Sequence, residues 1–304
     1  MRVLIIPLNW GLGHATRCIP IVQRYLDEGA EVAIGGTGES LKLLQRYFPE
    51  LKVYQLAPLE LRYSSGKRQV LAMLRALPQL WRFARTNRRL VQQLTEREHF
   101  DLIISDNCFG AWSDRCDCVY VTHQLHIMLP RPWRWLEPVV SRMHARMYEK
   151  YKKVWVPDCA GEPNLSGALG HPKNIDQRVV YVGVWSRFKS VKEKLGSQKN
   201  EKHSSPKYDV VAIVSGLEPQ RTIFENELRE RFAHSGESFI LYSGAADIPA
   251  EVLLSAKRII ARSGYSTIMD LYALGVLDKA ELHPTPGQPE QEYLAKYHTN
   301  KKSA

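Results

Sequence analysis

Arg2-Val3-Leu4-Ile5-Ile6-Pro7-Leu8-Asn9-Trp10-Gly11-Leu12-Gly13-His14-Ala15-Thr16-Arg17 is the stretch on which the fold turns. Its short apolar run shows no polar alternation, the mark of a strand covered on both faces. Gly11 and Gly13 follow at once, and glycine lets a backbone turn tightly and approach a ligand closely. A helix is then predicted over about 17–28, with Ile19, Val22 and Leu26 on one face and Gly29 as its stop. Strand, glycine loop and helix in that order open a doubly wound α/β sheet, in which ligands bind beyond the carboxyl ends of the strands.

The same alternation runs outward from this unit. Strands are expected at 31–35, 52–56, 101–106, 117–122, 153–157 and 179–184, among them unbroken runs such as Leu102-Ile103-Ile104 and Val119-Tyr120-Val121. Residues 189–207 interrupt the pattern with Lys, Ser, Glu, Asn and Gly and read as a surface loop at the start of a second domain. Beyond it the pattern restarts, with strands at 208–214, 238–242, 258–261 and 281–283. Helices follow at 219–232, at 267–274 closed by Gly275, and from about Glu290. A chain of 304 residues exceeds what one core usually holds, since cores stop growing near ~250–300 residues. The expected architecture is α/β: two Rossmann-like doubly wound domains, 1–184 and 185–304, facing across a cleft.

Composition narrows the function. The 42 Lys and Arg against 32 Asp and Glu leave a formal charge of +10, which calls for an anionic partner. Between Leu61 and Thr95 stand Arg62, Lys67, Arg68, Arg75, Arg82, Arg85, Arg88 and Arg89 with no acidic residue, interleaved with Leu71, Leu74, Leu77, Trp81, Phe83 and Leu94. Residues 130–153 mix Trp133 and Trp135 with seven more basic residues. Basic amphipathic helices edged by Trp suit an anionic membrane surface; a solvated basic face over an ordinary core is the better reading of either one alone, and two of them in the same half bring membrane apposition level with it. No nucleic-acid module is present to claim the charge. No apolar run nears the ~20 residues of a membrane span, and the first residues read as a strand rather than a signal peptide, so a cytoplasmic protein is expected, peripheral on the inner membrane face if the basic helices bind lipid. Five scattered cysteines suit a reducing compartment. Cys116 and Cys118 with His123 and His126 suggest zinc at first sight, but Cys-x-Cys on a strand wraps a metal poorly, so core thiols beside loop histidines are expected and no metal site.

The chemistry should gather on the loops after strands. His14 and Arg17 follow the first glycine loop, a titratable group and a fixed cation at the positive end of a helix, where anions such as diphosphates are favoured. Histidine there can act as a general base, whereas a lone histidine elsewhere is usually structural. In the second half, Ser215-Gly216-Leu217-Glu218-Pro219 offers a second phosphate cradle. Arg262-Ser263-Gly264-Tyr265-Ser266-Thr267 follows another strand, with Asp270 one turn into its helix, and Thr285-Pro286-Gly287-Gln288-Pro289-Glu290-Gln291 carries polar groups able to hold a sugar. Helix capping and turn punctuation explain each loop alone. Three on one sheet edge point to a site.

Taken together, Gly11-Leu12-Gly13-His14-Ala15-Thr16-Arg17, Arg262-Ser263-Gly264-Tyr265-Ser266-Thr267-Ile268-Met269-Asp270 and Pro284-Thr285-Pro286-Gly287-Gln288-Pro289-Glu290-Gln291 resemble a family of bacterial and archaeal glycosyltransferases related to MurG, of the family 28 type. Ser105-Asp106-Asn107 and Thr122-His123-Gln124 resemble it too. The resemblance implies a GT-B fold with an acceptor domain at 1–184, a UDP-sugar donor domain at 185–304 and no metal or other cofactor. It implies His14 as the base for the acceptor hydroxyl and Gly11 and Gly13 against the diphosphate. Ser215, Gly216, Arg262, Ser263, Gly264, Ser266, Thr267, Asp270, Gln288, Glu290 and Gln291 are implied around the donor, Asp270 at the ribose and Glu290 with Gln291 at the sugar. Arg17, Asp106, Asn107, His123 and Gln124 are implied at the acceptor. The chain departs from the family in a glutamate at 290 where two glutamines are usual, a short stretch at 244–255, and an end soon after Tyr297, so a reduced donor domain is expected.

The expected activity is transfer of a hexose or N-acetylhexosamine from a UDP-sugar to a lipid-linked or polysaccharide acceptor. A PseG-like nucleotide-sugar hydrolase shares the Gly-x-Gly-His-x-x-Arg-Cys opening, matched here through Cys18, and a non-catalytic sugar-nucleotide-binding subunit suits a reduced second domain.

Overall fold

The structure, a computed structural model, describes residues 1–59, 69–189, 206–244 and 246–302, though the side chains of 69–76 and 302 are not among them. Arg62, Lys67 and Arg68, and most of the loop expected at 189–207, lie outside the described residues, as do the side chains of Leu71, Leu74 and Arg75. The chain divides into two compact units, Met1–Trp185 and Ser186–Ala304.

The first unit carries β1 (Arg2–Pro7), α1 (Gly13–Asp27), β2 (Glu31–Gly36), α2 (Gly38–Tyr47), β3 (Lys52–Gln55) and α3 (Gln69–Arg97), then β4 (Leu102–Asp106), β5 (Asp117–Val121), a 3-10 turn (Arg131–Leu136), α4 (Glu137–Met147), β6 (Lys153–Val156) and β7 (Val179–Tyr181). Its seven strands lie in the order β3-β2-β1-β4-β5-β6-β7 and every pairing is parallel. The chain winds from β1 outward to β3, then returns to start again at β4 on the other side of β1. The adjacent carboxyl ends of β1 and β4 therefore form the topological switch point, where α/β sheets open a crevice. Val3, Leu4, Ile5 and Ile6 are all fully buried, so both faces of β1 are covered, as the unbroken apolar run requires.

The second unit holds β8 (Tyr208–Val214), α5 (Gln220–Phe232), β9 (Phe239–Ser243), α6 (Ala250–Leu254), β10 (Ala256–Arg262), α7 (Tyr265–Leu274), β11 (Ala280–His283) and α8 (Pro289–Lys302). Its strands lie in the order β11-β10-β8-β9, again all parallel, with β8 and β10 flanking the switch point. Val211 and Ile213 face one core while Val210, Ala212 and Val214 face the other, the period of two that a strand imposes. In the short stretch between β9 and β10 the described residues form the five-residue α6.

Three local expectations need correction. Helix α1 begins at Gly13 rather than near Arg17, because only Gly11 takes a positive φ, +72°, while Gly13 already lies in the helix. The penalty for glycine is small at a helix start, whose first amides have no intrahelical acceptor in any case. Arg262 ends β10 instead of opening the following loop, its register partner being His283 of β11. Strand β7 stops at Tyr181 because Gly183, at φ +76°, turns the chain off the sheet edge.

Candidate active site

The β1 loop is fixed from below by a neighbouring helix. Asn9 Oδ1 accepts the Ser40 amide at 3.1 Å, and the fully buried Ser40 hydroxyl donates to the carbonyls of Leu8 and Gly11 at 3.3 and 3.4 Å. A side chain on Gly11 would meet no atom within 4 Å, so glycine is required there by its φ, and the space above it is open. Neither Asn9 nor Ser40 was expected at the site. A short polar residue just past a strand, with a serine three residues into a helix 31 positions on, carries no pattern that a sequence reveals.

His14, Arg17 and Cys18 are spaced i, i+3, i+4 and so share one face of α1. That face looks at Asp106, the last residue of β4, which pairs in register with Pro7 at the end of β1. Arg17 Nε donates to Asp106 Oδ2 at 2.7 Å and Arg17 Nη2 donates to Asp106 Oδ1, a two-point ion pair with neither partner more than 2 % exposed. His14 Nδ1 lies 2.9 Å from the same Asp106 Oδ1, and the Cys18 thiol 3.8 Å from Oδ2. Arg17 Nη1 is 3.2 Å from Nδ1 of His123, which follows β5. Arginine only donates, so His123 accepts through Nδ1 and carries its proton on Nε2.

Burial alone would raise the Asp106 carboxyl, but the Arg17 charge, joined by His14, overrides it and holds that carboxyl well below the usual carboxylate range. A permanently ionised Asp106 accepts only, so its contact with His14 places the histidine proton on Nδ1 and leaves the lone pair on Nε2. Arg17 Nη2 also approaches His14 Nδ1, at 3.0 Å, yet it cannot donate to a protonated nitrogen; the carboxylate decides the tautomer. Burial, and then Asp106, push the Cys18 thiol far up, so it stays a neutral core group.

The arrangement reassigns two of the expected acceptor residues. Arg17 and Asp106 are enclosed behind His14 and offer no surface to a ligand, whereas the His14 side chain keeps 17 % exposure. Asn107, expected at the acceptor as well, is half-buried at φ +51°. Asparagine tolerates this left-handed conformation better than other non-glycine residues, because its short side chain can hydrogen-bond locally. Gln124 lies half-buried two residues beyond Thr122, whose hydroxyl accepts its amide at 3.1 Å.

In the second unit the expected loops do come together. Ser215 and Gly216 follow β8, Ser263 and Gly264 follow β10, and 284–291 follow β11, three neighbouring strand tips. Arg262 laces them, donating through Nη1 to the Pro284 carbonyl at 2.9 Å and through Nη2 to Gln220 at 3.2 Å while its guanidinium lies 3.8 Å over the Phe224 ring. Ser263 Oγ donates to the Gln291 carbonyl at 2.8 Å, and the Gln291 side chain accepts the Thr285 amide at 2.8 Å. These residues shape the loops from inside. Gly216 is exposed, Ser215, Gly264, Ser266, Gln288, Glu290 and Gln291 are half-buried, and Thr267 is buried in α7. The start of α5, expected as a phosphate cradle, already carries a carboxylate: Glu218 Oε2 accepts from the Thr222 amide and hydroxyl at 3.2 and 2.8 Å. Asp270 is buried and bonded inside the unit, to Ser186 Oγ at 2.6 Å and Arg187 Nε at 3.3 Å. Burial raises its carboxyl against the lowering effect of Arg187.

Helices α3 and α4 lie over one face of the first sheet, since Phe83 and Val91 share a core with Ala145 and Tyr148. Between them runs a groove of about 510 Å³ lined by Trp81, Arg85, Arg88, Arg89, Trp112 and Met147. Arg85 stacks 4.3 Å over Trp81 and Arg88 3.8 Å over Trp112. Trp81, Trp135, Val139 and Met143 are exposed on the same helices and the turn before α4. His126 bonds Glu137 and Cys118 bonds Ser113, so the Cys and His residues considered for zinc are engaged separately. Among the described residues there is no metal-binding group of three or more His, Cys, Asp or Glu, and no helix long and apolar enough to cross a membrane.

No family model matches the chain. Uncharacterized glycosyltransferases of Methanosarcina mazei and Methanosarcina acetivorans are each 23% identical to it, over 328 and 327 residues, covering 96% of this chain and 82% of theirs. Among solved structures, the calicheamicin glycosyltransferase CalG4 matches with a TM-score of 0.60 at 12% identity, over 99% of this chain and 84% of that one. Phytolacca americana UGT2, complexed with UDP-2-fluoro-glucose and pterostilbene, matches at 0.58 and 15% identity, over 99% and 83%. The spinosyn rhamnosyltransferase SpnG, complexed with thymidine diphosphate, matches at 0.52 and 15%, over 100% and 92%. The chain therefore has the two-unit, parallel-sheet fold of the GT-B glycosyltransferases, and its relatives among curated proteins carry the glycosyltransferase name.

Proposed function

We propose that this protein is a glycosyltransferase that moves a hexose or N-acetylhexosamine from a UDP-sugar to a hydroxyl of a lipid-linked or polysaccharide acceptor, with His14 as the general base. The 2.9 Å contact between His14 Nδ1 and the ionised Asp106, at the switch point of the first sheet, carries this reading. Asp106 fixes the tautomer, Arg17 keeps Asp106 charged, and His14 Nε2 takes the proton as the acceptor oxygen attacks the anomeric carbon. The bond from that carbon to the diphosphate breaks and UDP leaves. A positioned base of this kind contributes typically about 10²–10⁴-fold. Gly11, Gly13 and the positive end of α1 supply stabilisation for the leaving diphosphate without a metal.

The donor is assigned mainly to the strand tips of the second unit, with Gly216, Gly264, Ser266, Gln288 and Glu290 as its contacts, and the acceptor to the first, near His123 and Gln124. The nucleotide-bound UGT2 and SpnG complexes support a sugar-nucleotide donor. The arginine–tryptophan groove and the exposed Trp135, Val139 and Met143 support apposition to an anionic membrane surface, where a lipid-linked acceptor would lie. The test is a thermal-shift screen of UDP-, GDP- and dTDP-sugars, in which a ligand at 100 times its Kd stabilises by about 2.7 kcal/mol. UDP-sugars alone are expected to respond, and release of UDP is expected to require an acceptor extract. Free sugar released without acceptor would instead identify a hydrolase, and binding without turnover a carrier subunit.

A further inference from the structure

Behind the His14–Asp106 pair lies a second set of buried polar groups that the proposed reaction leaves unused. Asn107 directly follows Asp106 and is the one non-glycine residue at positive φ among those described. Its Oδ1 lies 3.0 Å from the Tyr120 hydroxyl, and that hydroxyl lies 3.3 Å from Nε2 of His144. Tyr120 belongs to β5 and is fully buried, stacked against Phe109 and Tyr148 and tilted against Tyr151; His144 comes from α4 and is buried too.

The direction of these bonds follows from what each atom can do. The Asn107 carbonyl oxygen only accepts, so the Tyr120 hydroxyl donates to it and must itself accept from His144 Nε2–H. His144 Nδ1 then holds the lone pair, and that atom is buried with no hydrogen-bond partner. Burial pulls the His144 imidazole down to about 4 and pushes the Tyr120 phenol far up, so both stay neutral at neutral pH and the direction does not reverse. An aromatic core needs neither group: Phe would stack as well at 120, and an apolar residue at 144 would leave no nitrogen unpaired. A buried nitrogen without a partner calls for a reason, and here it is the bond that His144 makes through its other nitrogen to the hydroxyl holding the Asn107 side chain.

We propose that Tyr120 and His144 are positioning residues for the His14–Asp106 pair: they clamp Asn107 in its left-handed turn, and that turn fixes where β4 ends and how the Asp106 carboxylate meets His14. The catalytic part of this inference rests on the reading of His14 as the base; the geometric part does not.

The test uses the full chain and two readouts. The first is 15N NMR of the His14 ring, identified by its loss in His14→Gln, which reports whether the proton sits on Nδ1. The parent is expected to show a single Nδ1–H tautomer with a protected proton. Tyr120→Phe is expected to give mixed tautomers and faster exchange of that proton, together with about a tenfold fall in kcat at unchanged donor KM. His144→Gln, which keeps an N–H near the Nε2 position, is expected to stay close to the parent, whereas His144→Phe is expected to match Tyr120→Phe. In an Asn107→Gly background, where the turn needs no clamp and the link is already cut, Tyr120→Phe is expected to add nothing. Should Tyr120→Phe fail to fold, His144→Phe breaks the same clamp from its other end and carries the same expected result. An unaltered His14 spectrum in the folded clamp variants overturns the proposal. A changed spectrum in a protein without transferase activity supports the clamp while refuting the base.

Discussion

Asp106→Asn removes the negative charge from a buried cluster and leaves Arg17, only 2 % exposed, without its counter-ion. Breaking a buried pair from one side costs about 3–5 kcal/mol. For a folding unit spanning Met1–Trp185, each kcal/mol shifts Tm by roughly 2–4 °C, so a fall of about 6–20 °C is expected at pH 7. The same substitution offers His14 an amide in place of a carboxylate, so the proton is no longer held on Nδ1, and a rate loss on the order of 10⁴ is expected. The pH dependence has a fixed sign. The Asp106 carboxyl is depressed in the folded protein, so its stabilising contribution is complete above the unfolded value of about 3.9 and fades as the pH falls below it. The gap in Tm between parent and variant should therefore narrow below about pH 4. Replacing both partners, Arg17→Met with Asp106→Leu, should recover much of the stability and none of the activity, since no uncompensated charge remains. Melts by circular dichroism from pH 3 to 8, with UDP release measured on the same samples, read all of these. An Asp106→Asn protein that melts within about 2 °C of the parent at pH 7, or turns over at the parental rate, would refute the reasoning.

Gly11→Ala should cost about 1 kcal/mol through its φ of +72° alone, because the added Cβ meets nothing within 4 Å; urea denaturation checks this, and a cost above about 3 kcal/mol would mean that the loop packs more tightly than described. Trp81→Ser combined with Trp135→Ser, both at exposed positions, should leave Tm nearly unchanged and weaken co-sedimentation with phosphatidylglycerol vesicles about tenfold. Binding of the parent should fall as salt rises, and equal binding to neutral phosphatidylcholine vesicles would contradict the membrane assignment.

The fold was legible because the chain writes it locally. Unbroken runs such as Val3 to Ile6 can be satisfied only by strands covered on both faces, and Gly29 and Gly275 mark helix ends; both take a positive φ. The start of α1 was misplaced because Gly-x-Gly reads as a loop throughout, while only Gly11 needs the conformation that glycine alone adopts readily. His14 was legible as a titratable group beside a glycine turn. Its orientation was not: Asp106 lies 92 residues away, and only the order of the strands sets β4 beside β1. Arg17 and Asp106 are placed at the acceptor by the family resemblance, yet in the fold they satisfy each other inside the core. The one available hint was the spacing of His14, Arg17 and Cys18 on a helix face that also buries Ile21 and Val22, where a buried cation requires a partner. The bonds from Ser186 and Arg187 to Asp270 left no mark of any kind in the sequence, because they join residues 83 or more apart that follow no repeat.

His14→Ala separates proton removal from binding more directly than any other change, since the truncation leaves the Arg17–Asp106 pair in place. Donor affinity by calorimetry and UDP release with an acceptor extract should be measured on the same preparation, parent beside variant. The account predicts nearly unchanged affinity with a rate lower by about 10²–10⁴-fold. A variant that releases UDP as fast as the parent, or that loses the donor altogether, would contradict it.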